Sequence, residues 1–448
     1  MHVNAYIVCY FFHILIRNLL TIFSLFQLLQ KGGTIIMKVC AVIAEYNPFH
    51  LGHAYHLKQA RLLTDADYVV VVMSGNFVQR GDPALVDKYA RAKAALSCGA
   101  DLVLELPSCF STGSAEYFAR GAISMLDHLG MVDFLCFGSE CSDIQFLSQF
   151  ADILLKEPEP YKKILLEKLK LGYSYPTARS NALVIAYPQL AADIAIISSP
   201  NNILGIEYIK AIHRRRSRIH PVNIRRIGSD HRDRRLGYFM SSARALRQAI
   251  QSNRRLEELS SQMPEEAYHV MTDYFAQERP LFSDDFSTLL HYKLLSEQAQ
   301  GYTDYLDVTP DLSDKIRKYV YQFTTFSEFC DLLKSKDMTY TRISRCLLHI
   351  LLNITKDNLQ FYIDNQDSVS YARLLGFRKE AKPLLTAIDQ NTSIPLISKM
   401  ADADKQLTMG GYHMFQQEVQ ITDIYSSIQA AKSGHKMYHE YTRPMIVV

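Results

Sequence analysis

The sequence predicts an α/β fold with a parallel sheet, followed by a mainly α-helical C-terminal domain. Three observations predict it. Short, continuously apolar runs, "VCAVIAEY", "DYVVVVMSG", "ADLVLELP" and "VDFLCFGSE", recur between residues 39 and 140, the pattern of strands covered on both faces. Helical patterns lie between them, supplying the crossovers that parallel strands need. Beyond about residue 250 the short apolar runs give way to amphipathic helix patterns. The expected division is 1–36 as an N-terminal extension outside the fold, 37–250 as the α/β domain and 251–448 as the helical domain.

Taken in order, "AYIVCYFFHILIRNLLTIFSLFQLL" in the first 36 residues is nearly all apolar. Its length suits a membrane span, but Arg17 and Asn18 interrupt it and no small-residue cleavage site follows. We read translation as starting at Met37, with a membrane-anchoring or amphipathic extension as the rival. After "VCAVIAEY", "HAYHLKQARLLT" has helical spacing. Asp87 caps "KYARAKAALSCG", which Gly99 can end. "AEYFARGAISMLDHLG" is a helix closed by Gly130. Pro200 suits a first helical turn, capped by Ser198 or Ser199. "IHPVNIRRI" reads as a strand and "SSARALRQAI" as a helix. "DFSTLLHYKLLSEQ", "DLSDKIRKYVYQF", "FSEFCDLLKSK" and "YTRISRCLLHILLNIT" are amphipathic helices.

The 448 residues carry a net charge of +3, with 48% hydrophobic and 21% charged residues. That composition is globular, and any nucleic-acid surface must be local. The eight cysteines form no CxxC pair. Irregular spacing in apolar runs argues against a disulfide framework and for a reducing cytoplasm without stable membrane association.

The chemistry-bearing stretch is "EYNPFHLGHAYH", with His50, His53 and His56 around Gly52. It follows the first strand and opens the first helix, and ligands of open α/β sheets bind at carboxyl strand ends. Gly52 permits a tight turn. His50 and His53 would stand near a helix N-terminus that favours an anion, and imidazoles there can stabilise charge on a phosphate under attack. A metal site and simple packing histidines are the competing readings. His-x-x-His alone is a weak metal signature, and no metal site is expected.

His50-x-Gly52-His53 after a first strand resembles the signature of the Rossmann-like nucleotidyltransferases. The wider set, "EYNPFHLGHAYH", "VVMSGNFVQRGDPA", "ADLVLELP", "FGSE", "PNNILG", "YTRISR" and "RLLGF", is similar to the bacterial tRNA(Met) cytidine acetate ligase family from Met37 to about residue 400. The resemblance implies activation of acetate with ATP as acetyl-adenylate. Acetyl transfer to the exocyclic amine of the wobble cytidine of elongator tRNA(Met) would follow, with Mg²⁺ on the ATP phosphates. The family's ATP contacts map onto Ile43, Ala44, Glu45, Tyr46, Asn47, Pro48, Phe49, His50, Leu51, Gly52, His53, Ala54, Tyr55 and His56, then Gly138, Asn201 or Asn202, and Arg226. His50 and His53 would be catalytic. Gly138 would leave room for adenine or ribose, and Arg226 would offer a planar fork to phosphate. The rivals are an adenylyltransferase for a small cofactor precursor and a non-catalytic RNA-binding protein with this fold.

Weaker signals remain. "SSARALR" resembles a second phosphate motif, with Ser242 and Arg247 as its phosphate contacts and Arg244 where the family pattern has Thr; the bland alternative is a Ser-capped helix. Gln79 and Arg80, in the loop bordering the active site, would position acetate or touch RNA. Lys88 and Arg91 read as a solvated helix face. The run Arg214, Arg215, Arg216, Arg218, then Arg225, Arg226, Arg232, Arg234 and Arg235, is either a solvated patch or a track for tRNA phosphates. Lys334, Lys336, Arg342, Arg345, Arg373 and Arg378, interleaved with Tyr340, suit RNA backbone contact and base stacking.

Overall fold

The computed structural model describes residues 37–448 apart from 174, 194–195, 197–198, 227–240, 336–337 and 365–368. The expectations for residues 1–36, Ser198, Arg232, Arg234, Arg235 and Lys336 lie outside the described residues. Lys38–Val448 form one compact unit.

The expected strands form. β1 (Val39–Ala44), β2 (Tyr68–Ser74), β5 (Leu102–Leu106), β6 (Phe134–Ser139) and β7 (His220–Arg225) are parallel. Val69 to Val72 are fully buried, as an uninterrupted valine run requires in a sheet covered on both faces. Between β2 and β5, Phe77–Val78 and Asp82–Pro83 make a small antiparallel hairpin, β3–β4. The crossover helices include α1 (Leu51–Thr64), α2 (Lys88–Ser97), α3 (Ala115–His128) and α4 (Pro200–Arg215). Asp87 caps α2 through a bond from Ala90 N–H, and Gly99 takes a φ of +111°, both as the pattern suggests.

The C-terminal stretch is mainly helical. It includes α5 (Ala243–Gln251), α6 (Tyr340–Leu351) and the 25-residue α7 (Met409–Ser433). It also returns to the sheet. β8 (Ala372–Phe377), the "RLLGF" segment, pairs antiparallel with β5, while β9 (Leu396–Ile397) and β10 (Ile446–Val447) pair with β8. Six residues flanked by helices gave no strand signal of their own, and an existing sheet edge supplied the partner. The strand order β10-β8-β5-β2-β1-β6-β7 places β1 and β6 side by side at the point where the order reverses.

Two expectations about charged residues are corrected. Lys88 and Arg91 do not lie on a solvated face: they are 0% and 1% exposed. Lys88 Nζ is 2.7 Å from Glu105 Oε1 and 2.7 Å from Glu440 Oε1. Arg373 is not available to RNA either, since it is buried on β8 and pairs with Glu440 at 2.6 Å. The arginine run is partly internal. Arg214 and Arg215 reach Glu116 and Asp127 of α3 at 3.1 and 3.0 Å, and Arg218 donates to the Gly130 carbonyl. The end of helix α4 presents Arg214 and Arg215 along the carboxylate edge of its neighbour, a pairing no local pattern announces.

Candidate functional site

β1 ends at Ala44, and the chain reverses through Tyr46 at φ +51° and a cis Asn47–Pro48 bond. It then enters α1 with His50 as N-cap. The cap is a reciprocal pair. His50 Nδ1 accepts from Gly52 N–H at 3.0 Å, and His53 Nδ1 accepts from His50 N–H at 3.3 Å. The two rings stack, with centroids 3.7 Å apart. Tyr46 and Phe49 pack against His53, holding the stack from the core side. Because each Nδ1 accepts, the neutral rings carry their protons on Nε2, which makes each Nε2 a donor. Two such donors at the positive end of a helix are an arrangement suited to an anion, although the first-turn N–H groups of Gly52, His53 and Ala54 are themselves bonded to His50.

Gly52 has a different role from the turn flexibility expected of it. A Cβ there would stand 2.9 Å from His50 Cε1, so glycine is required by the His50 ring lying over it. His56 sits one turn further along α1. Its Nε2 lies 3.2 Å from the Cys136 carbonyl, tying α1 to β6 across the crevice, and burial lowers its pKa to about 4, so it is neutral near pH 7. This is a positioning contact.

The ends of β6 and β7 complete the crevice. A Cβ on Gly138 would meet Arg226 Cγ at 3.3 Å, and Arg226 N–H donates to the Ser139 carbonyl at 3.0 Å. The two asparagines separate cleanly. Asn202 is fully buried: its Oδ1 accepts from Glu140 and Cys141 N–H at 2.9 and 3.0 Å, and its Nδ2 donates to the Ile196 carbonyl at 2.7 Å. It pins the loop after β6 to the start of α4. Asn201 instead faces Arg226, whose Nη1 is 3.4 Å from Asn201 Oδ1. Glu140 holds both, taking Asn201 Nδ2 at 2.6 Å and Asn202 N–H at 3.0 Å. Sequence reading gave Glu140 no role; the signal was a lone carboxylate closing an apolar strand.

Arg91, expected on a solvated face, is instead buried behind the site. Its guanidinium donates to the carbonyls of Glu45 at 2.8 Å, Ser74 at 3.0 Å and Val86 at 3.1 Å, and also to Gly75. One buried side chain thus fixes the carboxyl ends of β1 and β2 together, and five fixed donors suit that task better than a lysine would. Asn47 Oδ1 adds a bond from Leu85 N–H at 2.8 Å.

The "SGNFVQRG" motif is the β3–β4 hairpin. Gln79 N–H donates to Glu45 Oε1 at 3.0 Å, joining its tip to the end of β1. Burial raises the Glu45 pKa against the opposing pull of Arg80 and Arg247. The tip rests on α6: Ser344 Oγ donates to the Gly81 carbonyl at 2.8 Å. "SGNFVQRG" and "YTRISR", far apart in sequence, thus meet in the fold. Ser242 is the cap of α5, accepting from Ala245 N–H at 3.2 Å, and Arg247 reaches Asp82 at 3.3 Å. Arg80, Arg244 and Arg247 line a groove of about 590 Å³ with Asp82, Lys334 and Tyr340. The His50–His53 turn is not part of its lining; Glu45 is the link between them. Arg342 lines a separate pocket beside Asp307, and Arg345 pairs with Asp307 at 3.5 Å. Among the described residues no group of three His, Cys, Asp or Glu side chains is arranged to hold a metal ion. No described helix is long and apolar enough to cross a membrane.

Residues 37–440 match the HIGH Nucleotidyl Transferase family. A tRNA(Met) cytidine acetate ligase of Acetivibrio thermocellus is 40% identical over 92% of this chain and 100% of its own length. One from Clostridium perfringens is 38% identical over 87% of this chain and 95% of its own. The apo crystal structure of Thermotoga maritima TmcAL superposes with a TM-score of 0.87 at 32% identity, covering 92% of this chain and all of that one. The same protein bound with alpha-thio ATP gives a TM-score of 0.86.

Proposed function

Because the chain belongs to the HIGH nucleotidyltransferase family and, within it, to the tRNA(Met) cytidine acetate ligases, we propose that it acetylates the wobble cytidine of elongator tRNA(Met) with acetate and ATP. The observation that carries this reading is the His50–His53 cap at the β1/β6 switch point, where two Nε2 donors share a helix N-terminus. Nucleotide chemistry uses that place in open α/β sheets.

In the first step an acetate oxygen attacks the α-phosphorus of ATP. The bond from that phosphorus to the β-phosphate bridging oxygen breaks, and pyrophosphate leaves. His50 and His53 donate to the phosphoryl oxygens as charge spreads over them. Gly138, Asn201 and Arg226 hold the nucleoside side of ATP across the crevice, while Asn202 supports the loop from behind. Ser242 and Arg247 bear on the outer phosphates. Any Mg²⁺ arrives with the triphosphate, whose oxygens supply ligands. In the second step the cytidine N4 attacks the acetyl carbonyl, the carbonyl–phosphate oxygen bond breaks, AMP leaves, and the amine loses one proton. Residues 251–448 form the tRNA-binding part, and the reaction belongs in the cytoplasm, where tRNA and free thiols coexist.

The test is acetate-dependent exchange of pyrophosphate into ATP by the purified protein, followed by acetyl transfer to elongator tRNA(Met). His50→Ala and His53→Ala are each expected to lower exchange by about 10²–10³-fold, the usual effect of losing a transition-state donor, while the protein stays folded with stability lowered only by the loss of the cap, about 0.5–2 kcal/mol. Normal turnover in both variants would refute the site. Exchange that ignores acetate and follows a phosphorylated metabolite would move the chain to the cofactor adenylyltransferases.

A further inference from the structure

The groove between the hairpin tip and α6 holds groups beyond those that the ATP phosphates use. Its lining includes Arg80 and Arg247, both acting electrostatically on Glu45, and Arg247 is shared with the outer phosphates of ATP. It also includes Lys334 and Tyr340, from the loop before α6 and its first turn. Asp82 is answered by Arg247 at 3.3 Å, and Asp284 by the Ser327 N–H and hydroxyl, each at 2.8 Å. By contrast, the Lys334 ammonium and the Tyr340 ring make no side-chain hydrogen bond, ion pair or ring contact among the described residues. A half-buried aromatic face beside an exposed ammonium, in about 590 Å³ of space, has room for one nucleotide and part of the next.

The diffuse list of basic residues after 330 is sorted by the same observations. Arg373 is buried in an ion-pair cluster, Arg345 is engaged with Asp307, and Arg342 lines another pocket. Among the described members of that set, Lys334 and Tyr340 share a groove with the hairpin tip that touches Glu45.

We propose that this groove seats the target nucleotide of the RNA substrate, with Tyr340 as the platform on which the unstacked base lies and Lys334 on an adjoining phosphate. Single-stranded bases are held in this manner, by a π-face plus a backbone cation. The proposal rests on the ligase reading and deepens it. It assigns the second half-reaction to a place on the surface and makes Tyr340 a positioning residue for the cytidine.

The experiment uses the full chain and an elongator tRNA(Met) transcript, with Tyr340→Ala, Tyr340→Phe and Lys334→Ala. Three quantities are measured: pyrophosphate exchange with acetate and no RNA, the KM for RNA in acetyl transfer, and RNA affinity against salt. Tyr340→Ala should raise the KM for RNA by about tenfold or more beyond any change in exchange, and Tyr340→Phe should restore it, since stacking needs the ring and not the hydroxyl. Lys334→Ala should lower the slope of log affinity against log salt by about one. Exchange falling as far as transfer would overturn the proposal and give the groove to the triphosphate. Unchanged KM and salt slope would overturn it too. RNA affinity does not require adenylation, so if the wild type failed to exchange, the ligase reading would fall while the affinity comparison still decided the groove.

Discussion

Two regions of this molecule are built from the same charged residue types and behave in opposite ways. One is the cluster of Lys88, Glu105, Arg373 and Glu440, with Tyr89 bridging: Tyr89 donates to Glu440 at 3.1 Å and accepts from Arg373 at 2.8 Å. It is sealed, with Lys88 at 0% and Glu440 at 2% exposure. The other is the groove of Arg80, Arg247, Lys334 and Asp82, which opens to solvent. In the first, burial would lower the Lys88 pKa, yet Glu105 and Glu440 more than offset it and raise it. The cluster draws its members from α2, β5, β8 and the C-terminal segment, so it fastens the returning chain to the sheet beside the hairpin. In the groove Lys334 is exposed, and Arg247 pairs with Asp82 at 3.3 Å at the surface. The difference teaches that a charge is structural or functional according to what faces it, and that type and spacing do not decide.

The sharpest way to break the comparison is to treat the sealed cluster as if it were a surface. Lys88→Met removes the one ammonium between Glu105 and Glu440 and leaves two buried carboxylates facing Arg373 alone. Removing one partner of a buried pair costs about 3–5 kcal/mol. The urea midpoint should fall accordingly, and Lys88→Met with Glu105→Leu should recover part of the loss because the uncompensated charge is gone. A single-variant loss under about 1 kcal/mol would mean that the cluster is wet and resembles the groove.

A second variant tests the neighbouring carboxylate. Glu418 of α7 accepts from Ser108 N–H and Oγ at 2.6 and 2.7 Å, and a Cβ on Gly75 would meet both Glu105 and Glu418. Burial, reinforced by Glu105, raises its pKa from 4.5 to about 7. Below about pH 4.5 the carboxyl is protonated in both folded and unfolded chains. Between 4.5 and 7 only the folded chain keeps the proton, so stability falls as pH rises, by at most about 1.4 kcal/mol per unit, and the loss is complete above 7. Glu440 has the opposite sign. Burial alone would raise its pKa, but Lys88 and Arg373 hold it below its usual range, so its contribution is present above that range and is lost on acidification. Glu418→Gln should gain on the wild type steadily from pH 4.5 to 7 in urea midpoints. A flat difference would mean that Glu418 is ionised throughout.

How much of this was legible follows from the same distinction. The five parallel strands and the Asp87 cap could be read because their causes are local: apolar runs of strand length and a carboxylate one residue before a helix. The histidine turn was legible because strand, glycine and helix stand consecutively. The role of Gly52 was not, since the clash that demands glycine comes from a side-chain rotamer. β8 was missed because its partner lies some 270 residues earlier in the chain and supplies what six residues cannot. Arg91 looked like any helix-surface arginine. Its partners are main-chain carbonyls at the ends of two strands, and carbonyls leave no mark in the sequence. Asn201 and Asn202, identical in type and adjacent, could be told apart only by which way the helix start turned them.

The smallest expected effect lies where the two regions are closest in character, at the hairpin tip. Gly81 has a φ of +79°, and a Cβ there would stand 2.5 Å from the backbone nitrogen of Arg345. Gly81→Ala therefore meets both a disfavoured backbone region and main chain that cannot rotate away. The tip must lift from α6, at a cost of about 1–2 kcal/mol. Lifting it moves Arg80 within the groove and strains the Gln79–Glu45 bond, while Arg91 still holds the ends of β1 and β2. Global stability should fall less than in Lys88→Met, whereas the KM for tRNA should rise by more than that small loss predicts. Differential scanning calorimetry beside acetyl-transfer kinetics separates the two. If Gly81→Ala lowered stability as far as Lys88→Met and left the KM alone, the hairpin would belong with the sealed cluster as a structural fastening, and the contrast between fastening and presenting charges would have to be drawn elsewhere.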